Sequence, residues 1–371
     1  MKICHLTSVH KRSDTRIFLK ECRSIAAHGF ETVLVVSDGL GNETKEGVKI
    51  IDIGKFFNLA EDSSRLQRMR RTLGKMYEEA IQQDADCYHF HDPELMLVGY
   101  RLVRKGKKVI YDAHEDLPKG IYSKPYIKTF LQPLISATIR QVENFFSRKF
   151  FAVVTATPSI SNRFSGINSN IINVNNYPIL GELNREVDWR NRENKICFLG
   201  VITAIRGVTE TILALDEAPE AKFDLAGLIY PTTLLEKFEK LKAWPRVNVK
   251  GVINREESAD LLSSSKIGMV TFLPMRNHID ALPNKLFEYM SAGLPIIASN
   301  FALWKPLIEG NDCGVCVDPN NPSEIGKAIK NLLSDDARLQ RMGENGKKAV
   351  VEKYNWDNEK VKLFKVYNSI K

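Results

Sequence analysis

The chain has 371 residues, 43% of them hydrophobic and 26% charged, with a formal net charge of +8. This length accommodates two domains of ordinary size, and the composition is that of a soluble globular protein. No apolar run approaches the roughly 20 residues of a membrane helix. The opening Met1-Lys2-Ile3-Cys4-His5-Leu6-Thr7 reads as a first strand and not as a signal peptide, so a cytosolic location is expected. The six cysteines show no paired framework. Cys313 and Cys316 have metal-ligand spacing without a second pair or nearby histidine, and read as a turn into a strand. Residues 1–185 carry 27 Lys+Arg against 20 Asp+Glu, and residues 186–371 carry 26 against 25, so the first half is expected to meet an anionic partner or surface.

In chain order, the pattern predicts strand 3–7, helix 17–28, strands 31–37 and 49–53, and a basic helix from Ser64 to Gln83. Strands 87–90 and 108–111 follow, then one long amphipathic helix from Pro125 to Phe151, strand 151–155 and a short helix 159–164. The stretch 175–194 is polar, contains proline and lacks apolar periodicity, as a linker does. A second alternating series then runs through strand 195–199, helix 208–215, strand 222–226, helix 232–243, strand 247–250, helix 256–264 and strand 267–270. It continues with a helix around Leu286–Met290, strand 295–298, strand 314–317 and helix 323–333, and a last helix spans 356–370. Such alternation predicts parallel sheets covered by helices on both faces.

The segment Pro283-Asn284-Lys285-Leu286-Phe287-Glu288-Tyr289-Met290-Ser291-Ala292-Gly293-Leu294-Pro295 carries the most information. Pro283 suits the first turn of a helix and Gly293 the position just past its end. Leu286, Tyr289 and Met290 can face a core, which leaves Asn284, Lys285 and Glu288 near the helix N-terminus. That end attracts anions, and a carboxylate one turn inside accepts hydrogen bonds from a diol. Phosphates at the tip and ribose on Glu288 describe a nucleotide site.

This segment resembles the signature of retaining glycosyltransferases of family 4, in which two acidic residues separated by seven others span the donor site. Here the pair is Asp280 and Glu288, with Asp where the family usually has Glu. The resemblance covers nearly the whole chain. It implies an α/β GT-B fold, with two Rossmann-like domains facing a central cleft. The boundaries are expected at 1–180 for an acceptor domain, 181–194 for the linker, 195–352 for the nucleotide-sugar domain, and 353–371 for a helix crossing back to the first domain. On this resemblance Arg206, Lys285 and Asn284 bind the donor phosphates, Glu288 the ribose and Ile253 the base, while Leu282 and Pro283 line the donor sugar. Val201 stands where the family usually has an arginine, so Arg206 with Lys285 must neutralise the diphosphate.

In the first half, Tyr111-Asp112-Ala113-His114-Glu115 follows a buried strand, and the resemblance gives His114 a catalytic place against donor and acceptor. Asp280 is the second catalytic candidate, in case the mechanism is a double displacement. Asp14, Arg16, His91 and Glu115 are expected on the acceptor side, although Asp14 equally suits a helix N-cap. His89 and His91 point the same way from their strand and invite a metal. The family uses none, and no closed ligand set is visible in sequence, so no metal is expected. Asp84 and Asp86 match the metal-binding pair of the other glycosyltransferase fold but precede their strand, and read as a solvated turn. The apolar stripe Ile127, Phe130, Leu131, Leu134, Ile135, Ile139, Val142, Phe145 and Phe146 is expected to pack mainly into a core. The helix bearing Arg65, Arg68, Arg70, Arg71 and Lys75 is the better candidate for anionic lipid.

The resulting expectation is a metal-independent retaining hexosyltransferase, without cofactor, peripheral on the inner face of the plasma membrane. It would move a sugar from a UDP- or GDP-sugar to a lipid-linked saccharide in O-antigen, capsule or exopolysaccharide biosynthesis. Inner-leaflet anionic lipids are expected partners and nucleic acid is not. Two other readings stay open: a nucleotide-sugar 2-epimerase of the same fold, and a non-catalytic nucleotide-sugar-binding subunit.

Overall fold

The computed structural model describes residues 1–55, 65–124 and 126–370. Ser64 and Pro125, where two of the expected helices begin, lie outside these residues. The chain forms two compact units, Met1–Asn176 with Asp357–Lys371, and Tyr177–Trp356.

The first unit is built on eight strands: β1 Lys2–Leu6, β2 Glu31–Val36, β3 Glu43–Lys45, β4 Val48–Asp52, β5 Cys87–Phe90, β6 Lys108–Ala113, β7 Ala152–Thr155 and β8 Ile171–Asn173. Their order is β3-β4-β2-β1-β5-β6-β7-β8, parallel throughout except for β3 against β4. The second unit has β9 Lys195–Leu199, β10 Lys222–Ala226, β11 Val247–Gly251, β12 Ile267–Val270, β13 Ile296–Ser299 and β14 Gly314–Val317, in the parallel order β11-β10-β9-β12-β13-β14. Central strands such as Val33–Val36 and Ile296–Ser299 are buried along their whole length, as sheets covered on both faces require. The architecture is α/β with two Rossmann-like parallel sheets, the GT-B fold. In each sheet the strand order reverses beside the first strand of the unit, so the switch points fall between β1 and β5 and between β9 and β12. Ligands of open α/β sheets bind outside the carboxyl ends of strands at such points.

Several elements depart from the sequence reading. The edge strands β3 and β8 were not expected, nor was the helix Asp336–Glu352; two of its seventeen residues are buried glycines, Gly343 and Gly346, which blunt the apolar pattern. The single long helix after residue 125 is instead a short 3₁₀ turn, Thr129–Leu131, and a helix Gln132–Ser147. Pro133 explains the start, because proline fits the first turn of a helix and not its interior. The core-packing expectation for its apolar stripe is also corrected. The helix buries Gln132, Ser136, Glu143 and Ser147, while Phe130 is 74% and Leu134 66% exposed. Its polar edge has partners inside: Glu143 accepts from the Tyr111 hydroxyl at 2.9 Å and from Arg163 at 2.6 Å, and Ser136 donates to the Pro118 carbonyl at 2.9 Å.

The last helix, Trp356–Asn368, packs within the first unit. Glu359 accepts from the Asn175 backbone at 2.8 Å, the Phe364 ring stacks on His28 at 4.0 Å, and the Tyr367 hydroxyl lies 2.7 Å from His89 Nδ1. All six cysteines are free, and among the described residues no helix is long and apolar enough to cross a membrane.

The helix Asn284–Ser291 carries the signature segment and is fixed to β9 and β12 by Tyr289. Its hydroxyl accepts from the Leu199 backbone at 2.9 Å, and its ring fills the space beside Gly268, where an added Cβ would lie 2.3 Å from Tyr289 Cδ2. Gly268→Ala is therefore expected to destabilise the second unit by about 1–3 kcal/mol, the range of core overpacking. Urea denaturation checks this, and an unchanged midpoint would count against the described packing of Tyr289.

Candidate functional site

At the switch point of the second unit, β9 ends at Leu199 and the chain turns at Gly200, whose φ is 128°. Two cations converge there. A Cβ on Gly200 would lie 3.1 Å from Lys285 Nζ and 4.0 Å from Arg206 Nη1, so glycine keeps this space open. Lys285 Nζ is buried, with no hydrogen-bond partner, 3.7 Å from the centre of the Phe198 ring and 5.0 Å from that of Phe272. The Arg206 guanidinium lies 5.0 Å from the same Phe272 ring. Neither forms an ion pair among the described residues. Burial pushes the Lys285 ammonium well below the usual lysine value, and the Arg206 charge pushes it further. Burial also lowers Arg206. Two partly desolvated cationic side chains beside a helix N-terminus make a positive potential suited to an anion.

One turn along that helix, Glu288 is half-buried and accepts from Arg255 Nη1 at 2.9 Å. Arg255 also pairs with Glu182 at 2.7 Å. Arg255 opens the helix Arg255–Ser264, directly after the turn Gly251–Asn254, and Asn254 with Glu257 forms a capping box there. Ile253 is half-buried in that turn, against the core. His278 lies in the loop between β12 and the signature helix, its ring 4.9 Å from Phe272 and its Nδ1 3.0 Å from the Leu273 carbonyl.

The switch point of the first unit gathers side chains from the loops after β1, β5 and β6. Asp92 is buried and accepts from Ser8 N at 2.5 Å, the Thr7 hydroxyl at 2.8 Å and Val9 N at 3.3 Å, which fixes the loop after β1. His10 sits above it, Nε2 3.3 Å from Asp92 and Nδ1 3.4 Å from Asp14. The hydrogen bond to Asp14 and the Asp92 charge raise the His10 imidazole. His114 meets His10 edge to face at 5.4 Å, and burial lowers its imidazole. Its Nδ1 has no hydrogen-bond partner. The two neighbouring imidazoles are thus pushed in opposite directions.

Two family models divide the chain: "Glycosyltransferase Family 4" over residues 16–170 and "Glycosyl transferases group 1" over residues 181–349. The chain belongs to the family 4, group 1 glycosyltransferases. A sequence relative, the uncharacterized glycosyltransferase MJ1607 of Methanocaldococcus jannaschii, is 29% identical over 189 residues, 49% of this chain and 47% of that protein. The match therefore spans under half of that relative's length. Among solved structures, sucrose-phosphate synthase of Thermosynechococcus elongatus superposes with a TM-score of 0.81 at 16% identity, covering 100% of this chain and 98% of that one. Anabaena HepE in complex with UDP-glucose superposes with a TM-score of 0.77 at 13% identity, covering 100% of both. At these identities the likeness establishes the GT-B fold.

In this chain the structure brings Arg206 and Lys285 together over Gly200, with Asn284 opening the helix that carries Lys285 and Glu288. Pro283 is the N-cap residue and not the first helical residue. Leu282 is half-buried against the core and Asp280 is exposed in the preceding loop. His114 and Glu115 follow β6, the histidine half-buried and the glutamate exposed. Asp14 is the N-cap of the helix Thr15–Cys22, accepting from Arg16 N at 2.8 Å and Ile17 N at 2.9 Å.

Arg16 and His91 are corrected as acceptor contacts, because both are inside. Arg16 is 5% exposed, bound two-fold to Asp112 at 2.8 and 3.0 Å and to the Val174 carbonyl at 3.1 Å. His91 is 1% exposed, with Nε2 2.9 Å from His5 Nδ1 and Nδ1 3.3 Å from Asp112. Sequence reasoning missed His10, His278 and Arg255. Only Arg255 left a local signal, since it follows Ile253 at a helix start.

The depressed Lys285 makes anion binding take up a proton. In the free protein the amine is neutral above its lowered value, and an arriving diphosphate raises that value again. Net proton uptake on binding is expected to grow as pH rises through the depressed value, and to vanish in Lys285→Met. Calorimetry with UDP in buffers of different ionisation enthalpy measures it; uptake unchanged in the methionine variant would assign the proton elsewhere.

Proposed function

We propose that the chain transfers a hexose from a nucleotide sugar to a hydroxyl of a lipid-linked saccharide, with retention at the anomeric carbon, in surface-polysaccharide assembly. The observation that carries the donor half is the convergence of buried Lys285, without a hydrogen-bond partner, and half-buried Arg206 over Gly200, one helical turn from the Glu288 carboxylate. Breaking the sugar–phosphate bond leaves charge on the diphosphate, and preorganised cations with helix N–H groups stabilise it as it forms. The ribose is assigned to Glu288, with Arg255 moving off it or sharing it, the base to the turn at Ile253, and the sugar to Leu282 and Pro283. A UDP-sugar is the first donor to test, because a HepE structure of the same fold holds UDP-glucose. His114, kept neutral by burial, is assigned to the acceptor hydroxyl or the departing phosphate. Front-side attack, with the phosphate taking the acceptor proton, needs no protein nucleophile; Asp280 is the residue to replace if a glycosyl-enzyme is trapped.

Binding of UDP, GDP and ADP by calorimetry tests the donor reading, and no binding of any of them would overturn it. Glu288→Gln is expected to weaken donor binding by about 1–2 kcal/mol, the worth of a hydrogen bond to a charged group. Equal affinity in a folded variant would remove Glu288 from the ribose. Transfer is expected to persist when EDTA chelates free divalent ions, since side chains serve the phosphates. Restoration by Mg²⁺ or Mn²⁺ of activity lost to EDTA would overturn that reading.

The lipid-linked acceptor is supported by the outer face of the helix Gln132–Ser147 and the turn before it. Tyr126, Phe130, Leu134, Val142 and Phe145 are exposed there, and Lys124, Lys128 and Arg140 are exposed beside them. Apolar side chains ringed by cations suit an anionic lipid surface, each cation contributing about 1 kcal/mol. The basic helix Arg65–Gln83 adds exposed Arg70, Arg71 and Lys75. Co-sedimentation with anionic vesicles is expected to fall at least tenfold in Phe130→Asp/Leu134→Asp and with rising salt. Equal binding to neutral and anionic vesicles, or no loss in the variant, would defeat the assignment.

A further inference from the structure

The core of the first unit holds a polar cluster that the donor and acceptor chemistry does not use. His5 on β1, His89 on β5, His91 directly after β5, and Glu21 on the helix Thr15–Cys22 are all fully buried or within 1% of it. Their nearest ligand atoms lie within 4.8 Å of one another. Glu21 Oε2 is 3.9 Å from each of His5 Nδ1, His89 Nδ1 and His91 Nε2, and the His5 and His91 nitrogens are 2.9 Å apart. Neither Glu21 oxygen has a hydrogen-bond partner. Arg16 Nε lies 3.2 Å from Oε1 but donates to Asp112 at 2.8 Å. Arg16 thus lies between two carboxylates and is bound in the closer geometry to Asp112.

We propose that His5, Glu21, His89 and His91 bind one divalent ion of the zinc class. The donor set is three imidazole nitrogens and one carboxylate oxygen, which suits zinc and its first-row neighbours and not magnesium or calcium. Zinc bonds of 2.0–2.1 Å in a tetrahedron set ligand-to-ligand edges of about 3.3–3.4 Å. The separations of 2.9 and 3.9 Å bracket that value, with Glu21 equidistant from the three histidines. Asp112 stands 3.3 Å behind His91 Nδ1, as the outer carboxylate that orients a metal-bound histidine. The Tyr367 hydroxyl borders the cluster, 2.7 Å from His89 Nδ1 and 3.2 Å from His5 Nε2, and gives up its hydrogen bond to His89 Nδ1 when that nitrogen takes the ion.

Four protein ligands close the coordination sphere, so the ion is structural. It joins two strands and a helix beneath the switch point and, through Tyr367, touches the C-terminal helix. It uses none of the residues assigned to the donor and is independent of the function proposed above. Brief EDTA treatment of the folded protein does not reach it; removal requires a zinc chelator with denaturant.

Elemental analysis of the untagged full-length protein, expressed in zinc-supplemented medium and dialysed, is expected to give close to one zinc per chain. Cobalt refolded into stripped protein is expected to show the visible bands of a four-coordinate site. Glu21→Gln and His89→Gln should each lose the metal, while His28→Gln, at an exposed ring, should keep it. Trace metal in the wild type would overturn the proposal and leave Glu21 carrying a proton. Zinc retained in both cluster variants would place the metal elsewhere. If a variant fails to fold, wild-type stoichiometry and the cobalt spectrum still decide.

Discussion

Lys285 is held in a place where an ammonium is poorly tolerated, and most of the second unit is arranged to keep it there. Its amine lies over Phe198 and Phe272, out of water, with a cation nearby. Cation–π attraction offsets only part of the desolvation, so the ammonium form is disfavoured. Tyr289 maintains this placement by locking the helix to Leu199 and Gly268. Gly207 contributes too: it has a φ of 70°, and a Cβ there would meet the Thr271 carbonyl at 1.7 Å, so only glycine brings Arg206 this close to β12.

The first unit uses the opposite strategy. Its charges are matched internally, Arg16 to Asp112, Arg163 to Glu143 and Asp92 to the loop after β1. Such matching costs conformational freedom but fixes where His10 and His114 stand. Buried ion pairs contribute little net stability, and their worth here is positional. The outcome is a rigid floor at the ends of β1, β5 and β6, with the titrating groups held just above it.

The inversion of the helix Gln132–Ser147 has the same root. Glu143 is needed inside by Tyr111 and Arg163, so the helix presents its polar edge inward. Leu134, Val142 and Phe145 then face outward, where a solvent-exposed helix would ordinarily carry charge, while Phe146 packs against the core. A hydrophobic stripe records that a face is apolar and not which way it points.

Much of this chain was legible without coordinates. β5, β9, β10, β12 and β14 lie at the residues expected, because buried parallel strands are short apolar runs bounded by turns. The helix end at Gly293, with a φ of 64°, and the place of Lys285 in the first turn of its helix followed from local rules of helix termini. Tertiary structure alone decided what depends on residues distant in sequence. It paired Arg255 with Glu288, 33 positions apart, and placed Asp112 against Arg16, 96 positions apart. It also gathered His5, Glu21, His89 and His91 about one point, drawing on two adjacent strands and a helix. Local sequence determines how a segment folds and which side chains share its face. Which faces meet, and so whether a charge ends up paired, buried or open to a ligand, is set by strand order, which no single segment encodes.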